Sequence, residues 1–188
     1  MPITKQTKTS LKIDYAKLFE KESHAKIFVE GLARGCKDHQ ELKERLERHA
    51  AVVNALKEKG VTSFFSAIYS TVFEDPEEAC SIRDKLISKF KECGLNEKQT
   101  KKMADCIIFS VKNGKKELIE RVANISLEAL KAGVPFEVVA DVVYYSPSDI
   151  PSKEFARRCI ETSLKKNKTL AISHEELRER LAKFDQRE

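Results

Sequence analysis

Glycine is scarce in this chain, six residues in 188, and none of the six is gathered into a loop that could cradle a phosphate. The patterns G-x-S-x-G and H-E-x-x-H are also absent, which removes the usual frame for a serine nucleophile and for a two-histidine zinc site. Cysteine is present but uneven. Cys36, Cys80, Cys93, Cys106 and Cys159 are odd in number and include no C-x-x-C pair, so they read as reduced thiols and not as a disulfide framework. No long hydrophobic run occurs. The longest uncharged stretch, from Gly60 to Phe73, carries five Ser or Thr residues and is too short to span a bilayer. Residues 1–12 are polar and basic, with no apolar segment after them, so no secretory signal is visible. The expected compartment is the cytoplasm, although export by a leaderless route would leave the same pattern. Repeats of fixed period and low-complexity segments are missing as well.

What is present is charge and helical periodicity. With 41% hydrophobic residues, 188 residues can bury one sizeable core, which makes a single domain the expectation. Charged residues reach 35%, as several helices would require if each shows a polar face to water. The net charge of +5 permits an anionic partner without requiring one, because Lys and Arg alternate with Glu and Asp along most of the chain.

Four sites carry the signature of a helix start: Asp38-x-x-Glu41, Asp75-x-x-Glu78, Asn96-x-x-Gln99 and Ser173-x-x-Glu176. In each, a short side chain accepts the N3 amide while the N3 side chain reaches back to the cap's own N–H. Pro76 stands at N1, and Ile172 with Leu177, like Ile13 with Leu18, is spaced as a hydrophobic staple. Predicted helices cover 14–33, 38–59, 61–73, 76–93, 97–113, 115–132, 135–145, a stretch ending near 166, and 174–184. The 61–73 segment repeats its apolar residues at helical spacing and is expected to be the central, most buried helix. The fold class predicted is all-α: a compact bundle of eight or nine helices. A polar basic tail over 1–13 precedes a helical core over 14–146, and a C-terminal helical hairpin over 147–188 follows the Ser146–Pro151 break, within the same domain or as an arm.

Ala129, Gly133, Val134, Val139 and Val142 resemble the spacing of helix-turn-helix DNA-binding motifs. In that family a small residue four before the turn glycine lets two helices pack closely, and the helix after the turn reads bases. The resemblance covers about twenty residues and implies that the helix at 135–145 is the reading helix. That helix departs from the family where bases would be read. Residues 135–141 include no Arg, Lys, Asn or Gln, and Glu137 and Asp141 have the wrong sign for phosphates.

Other chemistry has thinner support. Cys36-x-x-His39 has ligand-like spacing without a second pair, and no cofactor or metal signature is complete. His24 lacks companions for a haem role, while His49 falls on the Leu42–Leu56 seam as a core or interface histidine. Two lysine-rich stretches could neutralise phosphates: Lys98, Lys101, Lys102, Lys112, Lys115 and Lys116, then Arg157, Arg158, Lys165 and Lys166 with Lys153 and Lys168. No aromatic side chain is expected beside them for base stacking, since Phe109 and Phe155 fall on apolar faces. Glu137 and Asp141 form the one carboxylate pair in a markedly apolar helix, the minimal equipment of a metal-free hydrolase or lyase.

The function expected first is a non-catalytic interaction protein that meets a protein partner or a second copy of itself through helical faces. Candidate faces are Leu42, Leu46, Val53 and Leu56, and Leu177, Leu181 and Phe184. Nucleic-acid binding through the lysine-rich surfaces is the alternative, and the acid-pair enzyme is third. No membrane span and no small-molecule ligand are indicated.

Overall fold

The chain is described by a computed structural model over residues 3–112 and 115–184, with every side chain in those ranges except that of Ile13. Among the described residues all regular structure is helical, in ten α-helices and two short 3-10 turns. The order is α1 (Lys5–Tyr15), α2 (Glu22–Ala33), α3 (His39–Glu58), α4 (Ser63–Ser70), α5 (Pro76–Lys91), α6 (Glu97–Ser110), α7 (Ile119–Lys131), α8 (Phe136–Tyr145), α9 (Ser152–Lys165) and α10 (His174–Ala182). The 3-10 turns are Ala16–Leu18 and Lys116–Leu118. The all-α class therefore holds, with ten helices where eight or nine were predicted.

The extra helix comes from the N-terminus. The stretch read as a polar tail is helical over Lys5–Tyr15, opened by Thr4, whose Oγ1 accepts the Thr7 amide at 3.1 Å. The single helix predicted over 14–33 is broken instead by the 3-10 turn and by Phe19 in extended conformation. Phe19 turns inward and packs on Phe28, ring centroids 5.4 Å apart, so burial of one aromatic outweighs continuity of the helix. The Ile13–Leu18 staple lies outside the described residues, as do Asn113 and Gly114 at the predicted end of the fifth helix.

The described residues fall into two compact units. One comprises those within Met1–Arg83 and Lys112–Gly114, the other those within Asp84–Val111 and Lys115–Glu188.

In the first unit α2 packs against α1, α3 and α4, and α3 against α4. The core joins Leu11, Phe19, Phe28, Val29 and Leu32 to Leu42, Leu46 and Val53. Asp38 caps α3 through the Glu41 amide at 2.9 Å, while Glu41 reaches back to the amide of Lys37 and not to that of Asp38. Arg45 donates to carbonyls at the end of α2, Leu32 at 3.3 Å and Arg34 at 3.1 Å, and Cys36 Sγ donates to Leu32 as well, serving acceptors at a helix end. The uncharged segment forms a helix only over Ser63–Ser70. Val61, Ile68, Tyr69, Val72 and Phe73 of the predicted stripe are buried and Phe64 and Phe65 half-buried, while Ser63, Ser66 and Ser70 are buried as well. Ser70 makes this tolerable by donating to the Ala67 carbonyl at 2.8 Å within its own helix.

In the second unit α8 packs against α6, α7 and α9, and α10 against α7 and α9. Asn96 and Gln99 form a full reciprocal capping box at the start of α6, both bonds 3.0 Å. Ser173 before α10 accepts the Glu176 amide at 3.1 Å, as Asp75 in the first unit does that of Glu78 at 3.0 Å before α5. Gly133 takes a left-handed φ of +85° between α7 and α8, and its carbonyl accepts the Ala171 amide at 3.3 Å.

No helix among the described residues is long and apolar enough to cross a membrane.

Candidate functional site

The site grows from the hairpin of α8 and α9. Val138, Val139, Val142 and Val143 put one broad side of α8 into the core, together with Phe155, Ala156, Cys159 and Ile160 from α9. Helical periodicity then leaves Asp141 and Tyr145 of α8, and Arg157, Arg158, Glu161, Lys165 and Lys166 at the end of α9, around a cleft of about 450 Å³. Val142, Ser146 and Thr162 complete its lining.

Charge in the cleft is mixed and mostly paired. Glu154, just behind it on α9, accepts two bonds from Arg157, at 2.8 and 2.6 Å, and one from Arg158 at 3.1 Å. Hydrogen bonds from these two guanidiniums hold the Glu154 carboxyl down at about 2. Arg157 also binds Glu161, and Lys166 binds Asp141 across the two helices. Arg158 reaches the end of α8, donating to the Tyr145 carbonyl at 3.4 Å and to Ser146 Oγ at 3.2 Å. Among the described residues, Lys165 alone of the four cations has no carboxylate partner.

Tyr145 stands at the rim, 75% exposed, and Leu164, beside Lys165 on α9, is 62% exposed; among the described residues these are the large hydrophobic side chains most open to water. Tyr145 is braced from behind. Its ring meets Tyr144 edge-on at 4.9 Å, and Tyr144 stacks on Phe109 of α6 at 4.1 Å and 7°. No family model, curated protein or solved structure matches this chain.

The residues singled out from the sequence are distributed unevenly over this picture. Arg157, Arg158, Lys165 and Lys166 come together in the cleft. The other basic stretch is divided between the two units. Lys98, Lys101 and Lys102 lie exposed on α6, Lys115 and Lys116 open the second 3-10 turn, and Lys112 belongs to the first unit. Lys101 pairs with Glu97, Lys115 with Asp149 at 3.0 Å, and the Lys102 ammonium sits 5.9 Å from the centre of the Phe136 ring.

The leucine faces proposed for docking are interior surfaces. Leu42, Leu46, Val53 and Leu56 are fully buried within the first unit, as are Leu177 and Leu181 within the second, and Phe184 is half-buried. Their spacing is explained by core packing, so a partner cannot reach them in the folded chain. The helix-turn-helix resemblance ends similarly. α8 is enclosed by α6, α7 and α9, with Val138 to Ala140 buried, which leaves no free reading helix. Asp141 is bound to Lys166 and lines the cleft, whereas Glu137 is exposed and is not among the residues that line it.

Tyr145 was missed in the sequence as a stacking or anchoring residue, because its neighbours Val142, Val143 and Tyr144 made the end of α8 look uniformly apolar. Missed too was a contact of His24 Nδ1 with Ser63 Oγ at 3.3 Å. Ser63 also accepts the Glu20 amide at 3.4 Å and is only 1% exposed, which closes it to a substrate and makes it a fastening between α2 and α4. Burial pushes the thiols of Cys106 and Cys159 up to about 12, far from the thiolate a nucleophile needs.

Proposed function

We propose that this chain is a non-catalytic helical binding protein whose working surface is the α8–α9 cleft, engaging another protein or a second copy of itself. The observation that carries this reading is Tyr145, braced and three-quarters in water beside Arg157, Arg158 and Lys165. Tyrosine and arginine are the side chains that most often dominate binding energy at protein interfaces, and an aromatic already held in place loses little entropy on contact. Leu164 extends the same surface by an apolar group.

The test is site-specific photo-cross-linking from positions 145 and 164 in cells, with position 43 on the exposed side of α3 as the control. The same partner, or the chain itself, should be captured from both positions and not from the control. Its reconstituted complex should weaken about tenfold with Tyr145→Ala. Equal capture from all three positions would remove the reading.

Nucleic-acid binding is a second reading, favoured by the convergence of Arg157, Arg158, Lys165 and Lys166 next to a tyrosine. The carboxylates weigh against it. Glu154, Glu161 and Asp141 hold three of these four cations, and a phosphate would have to displace them. Labelled single-stranded RNA and DNA titrated across a salt series decide the matter, and no affinity at the lowest salt removes this alternative.

A further inference from the structure

The shape and charge of the cleft say more about its occupant. Its two ends are marked by cross-helix bonds: Arg158 to Tyr145 and Ser146 at one, Lys166 to Asp141 at the other. From Arg158 to Lys166 the chain rises eight residues along α9, roughly 12 Å at helical pitch. That length suits about four residues of extended chain. The lining is mostly polar, with Val142 and the Tyr145 rim as its apolar parts. A compact apolar ligand would leave Arg157, Glu161, Thr162 and Lys165 desolvated without partners. A linear segment with its own charges would not.

The sign of those charges follows from the pairing. Four cations face Asp141 and Glu161 in the lining, and Glu154 behind them takes up a third. Lys165 remains, next to Lys166 and followed by Lys168, all exposed at the C-terminal end of α9. A basic segment would meet that end with like charge. An acidic one would satisfy Lys165 and could share Lys166 and Arg157, whose present ion pairs are half-exposed and therefore exchange easily.

We infer that the α8–α9 cleft receives an acidic peptide segment of a partner protein, with carboxylates on Lys165 and Lys166 and one apolar side chain against Tyr145. This rests on the reading of the cleft as a protein-binding surface and adds the chemistry of what binds. The steering comes from charge, the residence from the aromatic contact, so the two parts respond differently to salt.

The experiment is fluorescence anisotropy on the full chain with three labelled probes. The first is a peptide of Glu and Asp around a central Phe-Leu pair, the second the same peptide with Lys replacing the acids, the third oligouridine RNA. The acidic peptide should bind, more weakly as salt rises, and the basic peptide should not. Lys165→Glu should weaken the acidic peptide about fivefold, Tyr145→Ala about tenfold, and Lys43→Glu on α3 not at all. Circular dichroism of each variant confirms that the helices remain. No binding of the acidic peptide at low salt, or binding indifferent to Lys165→Glu and Tyr145→Ala, overturns the inference. Preferential binding of the RNA with the same sensitivity overturns it in favour of a nucleic-acid site. If the basic peptide binds instead and depends on Tyr145, the charge assignment falls while the interaction surface stands. The surface itself fails only with the cross-linking test at positions 145 and 164.

Discussion

Gly133 shows how much a single hydrogen atom in place of a methyl group can decide. A Cβ there would lie 2.2 Å from the Ala171 Cβ, and the backbone already sits at a φ of +85°. Gly35 has nearly the same φ, +84°, but open space around it. Comparing the two separates backbone strain from steric conflict. Gly35→Ala should cost about 1 kcal/mol in a urea denaturation series, and Gly133→Ala about 3 kcal/mol, since the loop carrying Ala171 must move as well. Equal losses would show that the loop yields freely. His49 offers a second comparison at this scale. It is 1% exposed, its Nδ1 donates to the Ser70 carbonyl, and its Nε2 lies 3.7 Å from Glu74 Oε1 without a hydrogen bond. Burial lowers its pKa, Arg45 and Arg48 act in the same direction, and the Ser70 bond and Glu74 act against it. The folded chain thus binds this proton less readily than the unfolded chain. Its contribution to stability is complete above the unfolded value near 6.5 and is lost as pH falls from there toward the lower folded value. His49→Asn keeps a donor for Ser70 and removes the titration. Between pH 7.5 and 5 the variant's urea midpoint should fall less steeply than that of the parent chain.

At the scale of the helix, caps and stripes separate cleanly in what they foretold. Asn96 and Gln99 form the reciprocal box that their spacing announced, and Asn96→Ala should cost about 1 kcal/mol by thermal unfolding. The starts of α3, α5, α6 and α10 followed from caps and from Pro76, because those residues act on amides next to them in sequence. α1 could not be found in the same way. Among its described side chains only Leu11 is deeply buried, and one buried apolar residue makes no period. The turn at Phe19 was hidden for a different reason: it forms because the ring finds Phe28, a tertiary contact with no local mark. The Leu42–Leu56 stripe was correctly seen as apolar and given the wrong role, since a seam facing its own core and one facing a partner have the same spacing. The two roles differ in consequence. Leu46→Ala should destabilise the first unit by about 2–5 kcal/mol in chemical denaturation and should leave cross-linking from position 145 unchanged in conditions where the chain stays folded.

For the whole molecule, the cysteines report on folding without any engineering. Cys106 and Cys159 are buried with thiols raised to about 12, while Cys36, Cys80 and Cys93 are half-buried. Reaction with an aromatic disulfide reagent at pH 8 should therefore be biphasic. Two thiols should wait for unfolding of the second unit, and a single fast phase for all five would mean that its core opens on the labelling timescale. The cleft itself was half legible. Its four cations stood together in the sequence at 157–166, but their carboxylate partners come partly from α8, and Asp141 could be assigned to Lys166 only once the hairpin was closed. The braced aromatic stack draws on α6 and α8, 35 residues apart in sequence, so no local pattern announced it.

That stack has a practical consequence. The chain holds four tyrosines and no indole to drain their excitation, so its ultraviolet emission comes from phenol rings alone. Tyr69 is sealed inside the first unit, whereas Tyr145 is the ring most open to quenchers. Acrylamide quenching of the native, unlabelled chain thus supplies a built-in gauge of whether anything has settled over the mouth of the groove.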